Sequence, residues 1–219
     1  RWTAGGAGWS MSERRVVLVT QRRDRVPDRL EVRDALEDSW ASCLWEAGWV
    51  PFPAVNMAAA AAAQFEALRP GLVILSGGND APGTGQEPVP ARDETESVLL
   101  SLAARTGTPL LGVCRGAQML ALSAGMRLVR VEGHVRVRHA LTGPLASAWR
   151  GPSEVASFHH WGVEEDSLPA GWDVLARAEE GGVEAFANRE RRALGVLWHP
   201  EREPHHLPAV LEYLEAYES

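Results

Sequence analysis

The chain has 219 residues, of which 45% are hydrophobic and 23% charged, and its formal net charge is −7 at pH 7. These values are typical of one globular domain, and the negative charge argues against nucleic acid as a partner. No apolar run approaches the ~20 residues of a membrane span, so no membrane partner is predicted.

All 22 basic residues are arginine, which excludes Schiff-base lysines and Walker-type phosphate loops. Two cysteines, Cys43 and Cys114, are too few for a disulfide framework and fit a reducing, cytoplasmic compartment. Residues 1–10 show no periodicity and precede Met11, so we interpret them as a remnant. Residues 11–219 are then expected to form a single domain.

Strand and helix patterns alternate through the first half of the chain. Buried strands are predicted at 16–20, 72–75 and 110–113, and prolines at 49–53 suit a strand end. Helices are predicted from Leu30 to Ala47, over 58–68, from Arg92 to Arg105 and after Gly116, whereas 21–28 is predicted to be a loop. This alternation indicates an α/β fold, a doubly wound and mostly parallel sheet with helices on both faces.

The sequence pattern changes after Gly125, where short β-like stretches are separated by glycine and proline turns. They are typical of antiparallel strands that extend a sheet. The stretches lie at 126–131, 135–137, 154–157, 174–178 and 183–187, followed by a last strand at 193–198 and a helix from about 208 to 217.

Cys114 lies where a buried strand turns abruptly into a helix, between Gly112 and Gly116. A sharp strand-turn-helix exposes a nucleophile, and the helix N-terminus favours a thiolate. The alternative is a buried cysteine that only packs, which is the interpretation for Cys43 on the inner face of a helix. The two glycines favour chemistry at Cys114.

A cysteine nucleophile needs a base, and His199 is the best placed of the seven histidines. It ends a buried strand, and Glu201 can hold its second ring nitrogen, which is the third role of a triad. His205 and His206 are predicted to be solvated. The pair 159–160 could contribute to a zinc site, but no third ligand stands at a recognised spacing, so no metal is predicted.

Acyl transfer also needs two donors for the oxyanion. The backbone N–H of Arg115 directly follows the nucleophile. The N–H of Gly78 or Asn79 lies at the end of the buried strand 72–75, where a double glycine lets backbone approach a ligand.

Three segments together resemble class I glutamine amidotransferases, in order and in spacing. They are GVCRGAQ at 112–118, GVLWHPE at 195–201 and SGGND at 76–80, which look like that family's nucleophile motif, closing motif and oxyanion strand. The resemblance implies a flavodoxin-like fold and hydrolysis of a γ-glutamyl amide through a thioester, without a cofactor. Cys114, His199 and Glu201 would form the triad.

Finer features resemble one branch, the stand-alone γ-glutamyl hydrolases typified by γ-glutamyl-γ-aminobutyrate hydrolase. These features are the arginine after the cysteine, the helix start RDETE at 92–96, and SFHH at 157–160, which resembles a loop near the substrate. The implied substrate-binding residues are Gly77, Asn79, Gln118, Ser157, His159, His160 and Trp161. The chain departs from the usual pattern at Leu197 and Trp161, where glutamine is common.

The start of the domain, with TQR at 20–22 and RDAL at 33–36, resembles bacterial hydrolases that remove a γ-glutamyl group from a nucleotide phosphoramidate such as γ-glutamyl-CDP-amidate. Arginine binds phosphate bidentately. Arg22, Arg23, Arg33 and Arg115 are therefore candidates for contacting a leaving-group phosphate, and surface charge is the alternative for each.

Two other functions stay open. The chain could be a glutaminase subunit that supplies ammonia to a separate synthase partner, or a non-catalytic binding protein that keeps the fold and a reactive thiol. The retained cysteine, histidine and glutamate argue against the second. A homodimer is compatible with each of these functions.

Overall fold

The computed structural model describes residues 15–85, 88–148, 154–203 and 205–216, so the predicted remnant at 1–10 lies outside the described residues. The strands are β1 Arg15–Val19, β2 Arg22–Val26, β3 Glu31–Ala35, β4 Trp49–Pro53, β5 Leu72–Leu75, β6 Leu110–Val113, β7 Leu128–Arg130, β8 Val135–Thr142, β9 Glu154–Phe158, β10 Trp161–Val163, β11 Asp173–Ala178, β12 Val183–Asn188 and β13 Ala193–Val196. The helices are α1 Ser39–Glu46, α2 Ala58–Leu68, α3 Pro90–Thr106, α4 Arg115–Ser123, α5 Pro144–Ala148 and α6 His206–Glu215. Within these described ranges, no helix combines the length and apolarity that crossing a membrane requires.

The large sheet has the order β4-β1-β5-β6-β13-β12-β11-β8-β9. Its first five strands are all parallel, in the order of a flavodoxin-like sheet. Antiparallel pairing begins between β12 and β13 and continues to β9. The predicted α/β fold with its antiparallel extension is confirmed, and the proline-containing β4 lies at the sheet edge.

Alternate residues of the central strands enter two different apolar clusters. Val17 and Ile74 pack with α1 and α6 on one face, whereas Leu18 and Val73 pack with α2, α3 and α4 on the other. Successive side chains of a strand point to opposite faces, so a strand buried on both faces needs an unbroken apolar run. This explains why β5 and β6 are found at the predicted bounds.

The segment from Arg22 to Ala35 differs from the prediction of a loop followed by a helix. Here β2 and β3 form a separate two-stranded antiparallel sheet. Its register places opposite charges across from each other, Arg23 facing Asp34 and Asp24 facing Arg33. Such cross-strand pairs stabilise a hairpin.

The helix prediction from Leu30 was wrong because it counted apolar residues that are not buried. Leu30 and Val32 are exposed, and α1 begins only at Ser39. Asp28 and Leu30 have positive φ values of 66° and 49°, which bend the chain into the turn between β2 and β3.

The second half of the chain has the predicted antiparallel strands, with β8 longer than expected and with the unpredicted elements α5 and β10. The two histidines predicted to be solvated differ from each other. His205 is exposed as expected, whereas His206, the first residue of α6, is buried and the prediction for it was wrong.

Gly116, in the first turn of α4, generates a prediction about packing. A Cβ at this position would lie 1.9 Å from the carbonyl oxygen of Leu75 in β5. Gly116→Ala should therefore lower the free energy of unfolding by about 1–3 kcal/mol, the usual cost of overpacking, measured by urea denaturation. The control is Gly182→Ala, where a Cβ would have no atom within 4 Å. Equal stability of Gly116→Ala and the wild type would contradict this packing.

Candidate active site

Cys114 joins β6 to α4 with an unusual backbone conformation, φ 52° and ψ −108°. A positive φ is strained for a side chain other than glycine and persists only where the surroundings hold it. The Cys114 N–H donates to Val196 O at 2.8 Å, and its carbonyl accepts from Gln118 N at 3.1 Å. The sharp turn between strand and helix is thus present as predicted.

His199 and Glu201 lie at the end of β13, the strand next to β6. The carboxylate of Glu201 is 2.6 Å from Nδ1 of His199, and both side chains are buried. The Cys114 thiol lies close enough to the imidazole to raise its pKa. Gly77 borders both groups, since a Cβ there would lie 2.7 Å from His199 Cε1 and 3.5 Å from Cys114 Cβ.

The two neighbours of His199 decide its protonation. Burial alone would lower the pKa of His199, but the hydrogen bonds and charges of Cys114 and Glu201 outweigh it and raise the pKa to about 10. An imidazole with these partners can take a proton from the thiol and hold it for a leaving group.

A buried ion group, formed by Arg92, Glu96 and Arg115, stands behind the nucleophile turn. Glu96 is fully buried and accepts from Arg92 Nε at 2.8 Å, from Thr20 Oγ1 at 2.9 Å and from Arg115 Nη1. Burial would raise the pKa of Glu96, but the two guanidinium groups lower it, so the carboxylate stays charged. Arg115 also donates to Asp93.

Arg92 connects this ion group to the loop after β5. Its guanidinium donates to Ser76 O at 2.7 Å, to Gly77 O at 3.1 Å and to Gly78 O. The C=O and N–H of one trans peptide point in opposite directions. Because the Gly77 carbonyl faces Arg92, the N–H of Gly78 points away from Arg92, as a free oxyanion donor would require. The N–H of Arg115 lies in the first turn of α4, where helix amides lack an intrahelical acceptor.

Two predicted substrate-binding side chains, those of Asn79 and Gln118, form hydrogen bonds with backbone groups. Asn79 accepts from Arg23 N at 2.8 Å and donates to Arg23 O at 3.0 Å, so it ties the β2–β3 hairpin to the loop. Gln118 donates to Trp161 O at 2.8 Å and so connects α4 to β10.

The other predicted substrate-binding residues, at 157–161, do not lie on one side of the chain. Ser157 and His159 are buried, whereas His160 is exposed and Trp161 is half-buried. His159 Nε2 lies 3.4 Å from a carboxylate oxygen of Glu184. Glu184, His134 and His139 form a group that the sequence did not predict and that could hold a metal.

The residue of this segment that approaches the candidate triad is Phe158. Its ring meets the His199 ring edge-on, with centroids 5.8 Å apart. Sequence reasoning missed it, although the alternation of a strand places Phe158 on the face opposite to Ser157 and His159.

The four arginines predicted to contact a phosphate have different surroundings. Arg115 is buried on Glu96 and Asp93 and has no guanidinium face left for a ligand, so that prediction was wrong. Arg23 pairs with Asp34, and Arg33 pairs with Glu31.

Arg22 has a different position from the other three. It lines a cavity of about 260 Å³ together with Trp40, Gly77, Gly78, His199 and Arg202. Its side chain is half exposed and pairs with Asp24 at 2.8 Å.

Comparison with known proteins gives one family. The Peptidase C26 family model matches residues 37–201. A glutamine-hydrolysing GMP synthase of Leifsonia xyli subsp. xyli is 34% identical over 160 residues, which are 69% of this chain and 30% of that protein. Aminodeoxychorismate synthase component 2 of Escherichia coli is 34% identical over 146 residues, 64% of this chain and 72% of that protein.

A solved glutamine amidotransferase from Thermotoga maritima has the same fold, with a TM-score of 0.61 at 18% identity over 93% of this chain and 82% of that chain. The fold and the family match define a protein similar to the class I glutamine amidotransferases. The chain belongs to the Peptidase C26 family, which confirms the resemblance found in the sequence. It spans about 30% of the length of the Leifsonia GMP synthase.

The buried ion group predicts a large effect of one substitution. Glu96→Gln leaves two buried guanidinium groups without their shared carboxylate, which should cost about 3–5 kcal/mol of unfolding free energy, measured by urea denaturation. Glu94→Gln, two residues earlier on the exposed side of α3, should change it by no more than about 0.5 kcal/mol. Similar unfolding midpoints for the two variants would contradict the role of the ion group.

The pKa of His199 predicts how stability depends on pH. Because folding raises this pKa from 6.5 to about 10, the stabilisation is complete below about pH 6.5 and is lost as the pH rises through about 10. The difference in unfolding free energy between the wild type and His199→Gln should therefore shrink over this range. His205→Gln, at an exposed histidine, serves as the control, and a difference that grows with pH would refute the assignment.

Proposed function

We propose that this chain hydrolyses a γ-glutamyl amide through a thioester on Cys114. The proposal depends above all on one observation, the contact of the Cys114 thiol with His199 and of His199 with Glu201. These groups lie at the carboxyl ends of adjacent parallel strands, where open α/β sheets bind ligands.

Before the first step the thiol proton is on His199, as its raised pKa favours, and the Cys114 sulfur then attacks the γ-carbonyl carbon. The tetrahedral intermediate carries a negative charge on the former carbonyl oxygen. The N–H groups of Gly78 and Arg115 are the proposed donors to this oxygen. Arg92 holds the Gly78 donor in place through its hydrogen bonds to Gly77 O and Gly78 O. Glu96 holds the Arg115 donor in place through its ion pair with the Arg115 side chain. Neither Arg92 nor Glu96 contacts the substrate.

In the second step, the C–N bond breaks and His199 gives its proton to the departing amine. The glutamyl thioester remains on Cys114. Water then attacks the thioester while His199 takes a proton from it, and the sulfur leaves as glutamate is released. Glu201 keeps Nδ1 of His199 occupied, so Nε2 is the nitrogen that exchanges protons with thiol, amine and water.

The proposed leaving group is anionic because of two arginines in the cavity beside His199, which Glu37 and Glu201 also line. Arg22 and Arg202 both line it, and their side chains are 47% and 38% exposed. Guanidinium groups bind phosphate oxygens bidentately. The proposed substrate is therefore a γ-glutamyl amide whose amine carries phosphate, such as a γ-glutamyl nucleotide phosphoramidate, with Arg22 and Arg202 as its contacts.

A second candidate is a glutaminase that supplies ammonia to a synthase. It is favoured by the aminodeoxychorismate synthase component 2 of Escherichia coli, of which this chain covers 72%. The same triad chemistry would then act on glutamine, and the amine released would be ammonia.

The test is release of free glutamate by the purified chain from glutamine, γ-glutamyl-aminobutyrate and a γ-glutamyl nucleotide phosphoramidate. We expect the phosphoramidate to be cleaved fastest and Cys114→Ala to abolish turnover of all three while the circular dichroism spectrum is retained. Activity retained by Cys114→Ala would refute the mechanism, and glutamine cleaved fastest would establish the second candidate.

The leaving-group proposal has its own test. Arg22→Gln should raise KM for the phosphoramidate by about tenfold, the loss expected for one charge-assisted contact, and leave KM for glutamine unchanged. Arg33→Gln is the matched control, because Arg33 lies on the same hairpin and is also ion-paired but is not among the residues that line this cavity. Equal effects of Arg22→Gln on both substrates would contradict the proposed contact.

A further inference from the structure

Three histidines surround one buried carboxylate at the junction of the parallel and antiparallel parts of the sheet. His134 lies between β7 and β8, His139 in β8, His159 directly after β9, and Glu184 in β12. We propose that these four residues, called here the histidine cluster, form a binding site for a divalent transition-metal ion of the zinc type.

The distances fit such a site. One oxygen of Glu184 lies 3.1 Å from His134 Nδ1, 3.6 Å from His139 Nε2 and 3.4 Å from His159 Nε2. Bonds of about 2.0–2.1 Å in a tetrahedral zinc site place neighbouring ligand atoms about 3.3 Å apart. Ligand atoms of His134, His139 and Glu184 all lie within 4.8 Å of one another, so an ion would draw the imidazoles together.

The ligand atoms have no other engagement within the described residues. Both oxygens of Glu184, both ring nitrogens of His159, His134 Nδ1 and His139 Nε2 are buried there without a hydrogen-bond partner. Buried polar atoms normally have partners, and one ion at their centre would satisfy four of these atoms at once.

The buried negative charge of Glu184 also needs a positive partner. Glu184 is fully buried, and the ion-pair contacts described for it are all with histidines. A buried carboxylate requires a positive charge nearby. Either a proton on His134, whose pKa is raised by its contact with Glu184 despite burial, or a bound cation can provide that charge. A divalent cation provides that charge and uses imidazole and carboxylate, the donors that zinc accepts in proteins.

Glu180 completes the arrangement from outside the histidine cluster. Its carboxylate lies 2.9 Å from His134 Nε2, the ring nitrogen that faces away from Glu184. A carboxylate on the second nitrogen of a metal-bound imidazole fixes the tautomer and makes the ligand more basic.

The position of the histidine cluster indicates a structural role behind the active site. The Glu184 carbonyl accepts from Leu197 N at 2.8 Å, two residues before His199. His159 follows Phe158, whose ring contacts the His199 ring. An ion held here would fix β12 and the end of β9, and through them the two rings.

The experiment is metal binding by the full chain in a Cys114→Ala background, because a thiol beside an imidazole can itself bind zinc or cobalt. We expect about one zinc ion per chain by elemental analysis after gel filtration, and a higher unfolding temperature with zinc than with a chelator. Cobalt titrated into the zinc-free chain should give the visible absorption of a tetrahedral site, saturating at about one equivalent.

Three further variants locate the site. Glu184→Gln and His139→Ala should lose stoichiometric zinc, and Glu180→Gln, at an exposed position, should bind cobalt about tenfold more weakly. His205→Ala is the control and should bind one ion.

Two results would overturn the proposal. One is the absence of stoichiometric zinc and cobalt binding in the otherwise unmodified background, which would mean that a proton on an imidazole neutralises Glu184. The other is binding that the Glu184 and His139 variants retain. The cobalt titration of the Cys114→Ala chain, with the histidine cluster intact, decides the question even if Glu184→Gln does not fold.

Discussion

The geometry of the candidate active site depends on a single buried carboxylate, that of Glu96, shared by Arg92 and Arg115. A buried ion group is costly in desolvation and adds little net stability, but guanidinium groups are directional. Arg92 uses its remaining donors on the carbonyls of the loop after β5, and Arg115 is itself the residue that follows Cys114. Helix α3, which carries Arg92 and Glu96, therefore fixes the loop after β5 relative to the turn at Cys114.

The strained turn at Cys114 is held in place by hydrogen bonds and by close packing of its neighbours. Its N–H and C=O are both hydrogen-bonded, the next residue is anchored to Glu96, and Gly116 allows α4 to approach β5 closely. A positive φ costs on the order of 1–3 kcal/mol, which these neighbours offset. The thiol is thereby raised to the end of the strand, beside the imidazole that arrives on β13.

How much could be read from the sequence depended on whether the signal was local. The strands at 72–75 and 110–113 and the motifs around Cys114 and His199 are continuous segments, and all were located. The hairpin was missed because its stability comes from charges paired across two strands, which no apolar periodicity reveals. The histidine cluster was missed because positions 134, 139, 159 and 184 meet only through the antiparallel register of the extension.

The β2–β3 hairpin contributes no residue to either of the two apolar clusters described. It is attached by polar ties, from Asn79 to Arg23 and from Asn56 to Asp34, and it precedes residue 37, where the family match begins. Yet it borders a cavity of about 410 Å³ and, through Arg22, the space beside His199. Under the proposed function, substitutions on this hairpin would change the walls of both cavities and leave the apolar clusters unchanged, so that substrate recognition and folding stability could evolve separately.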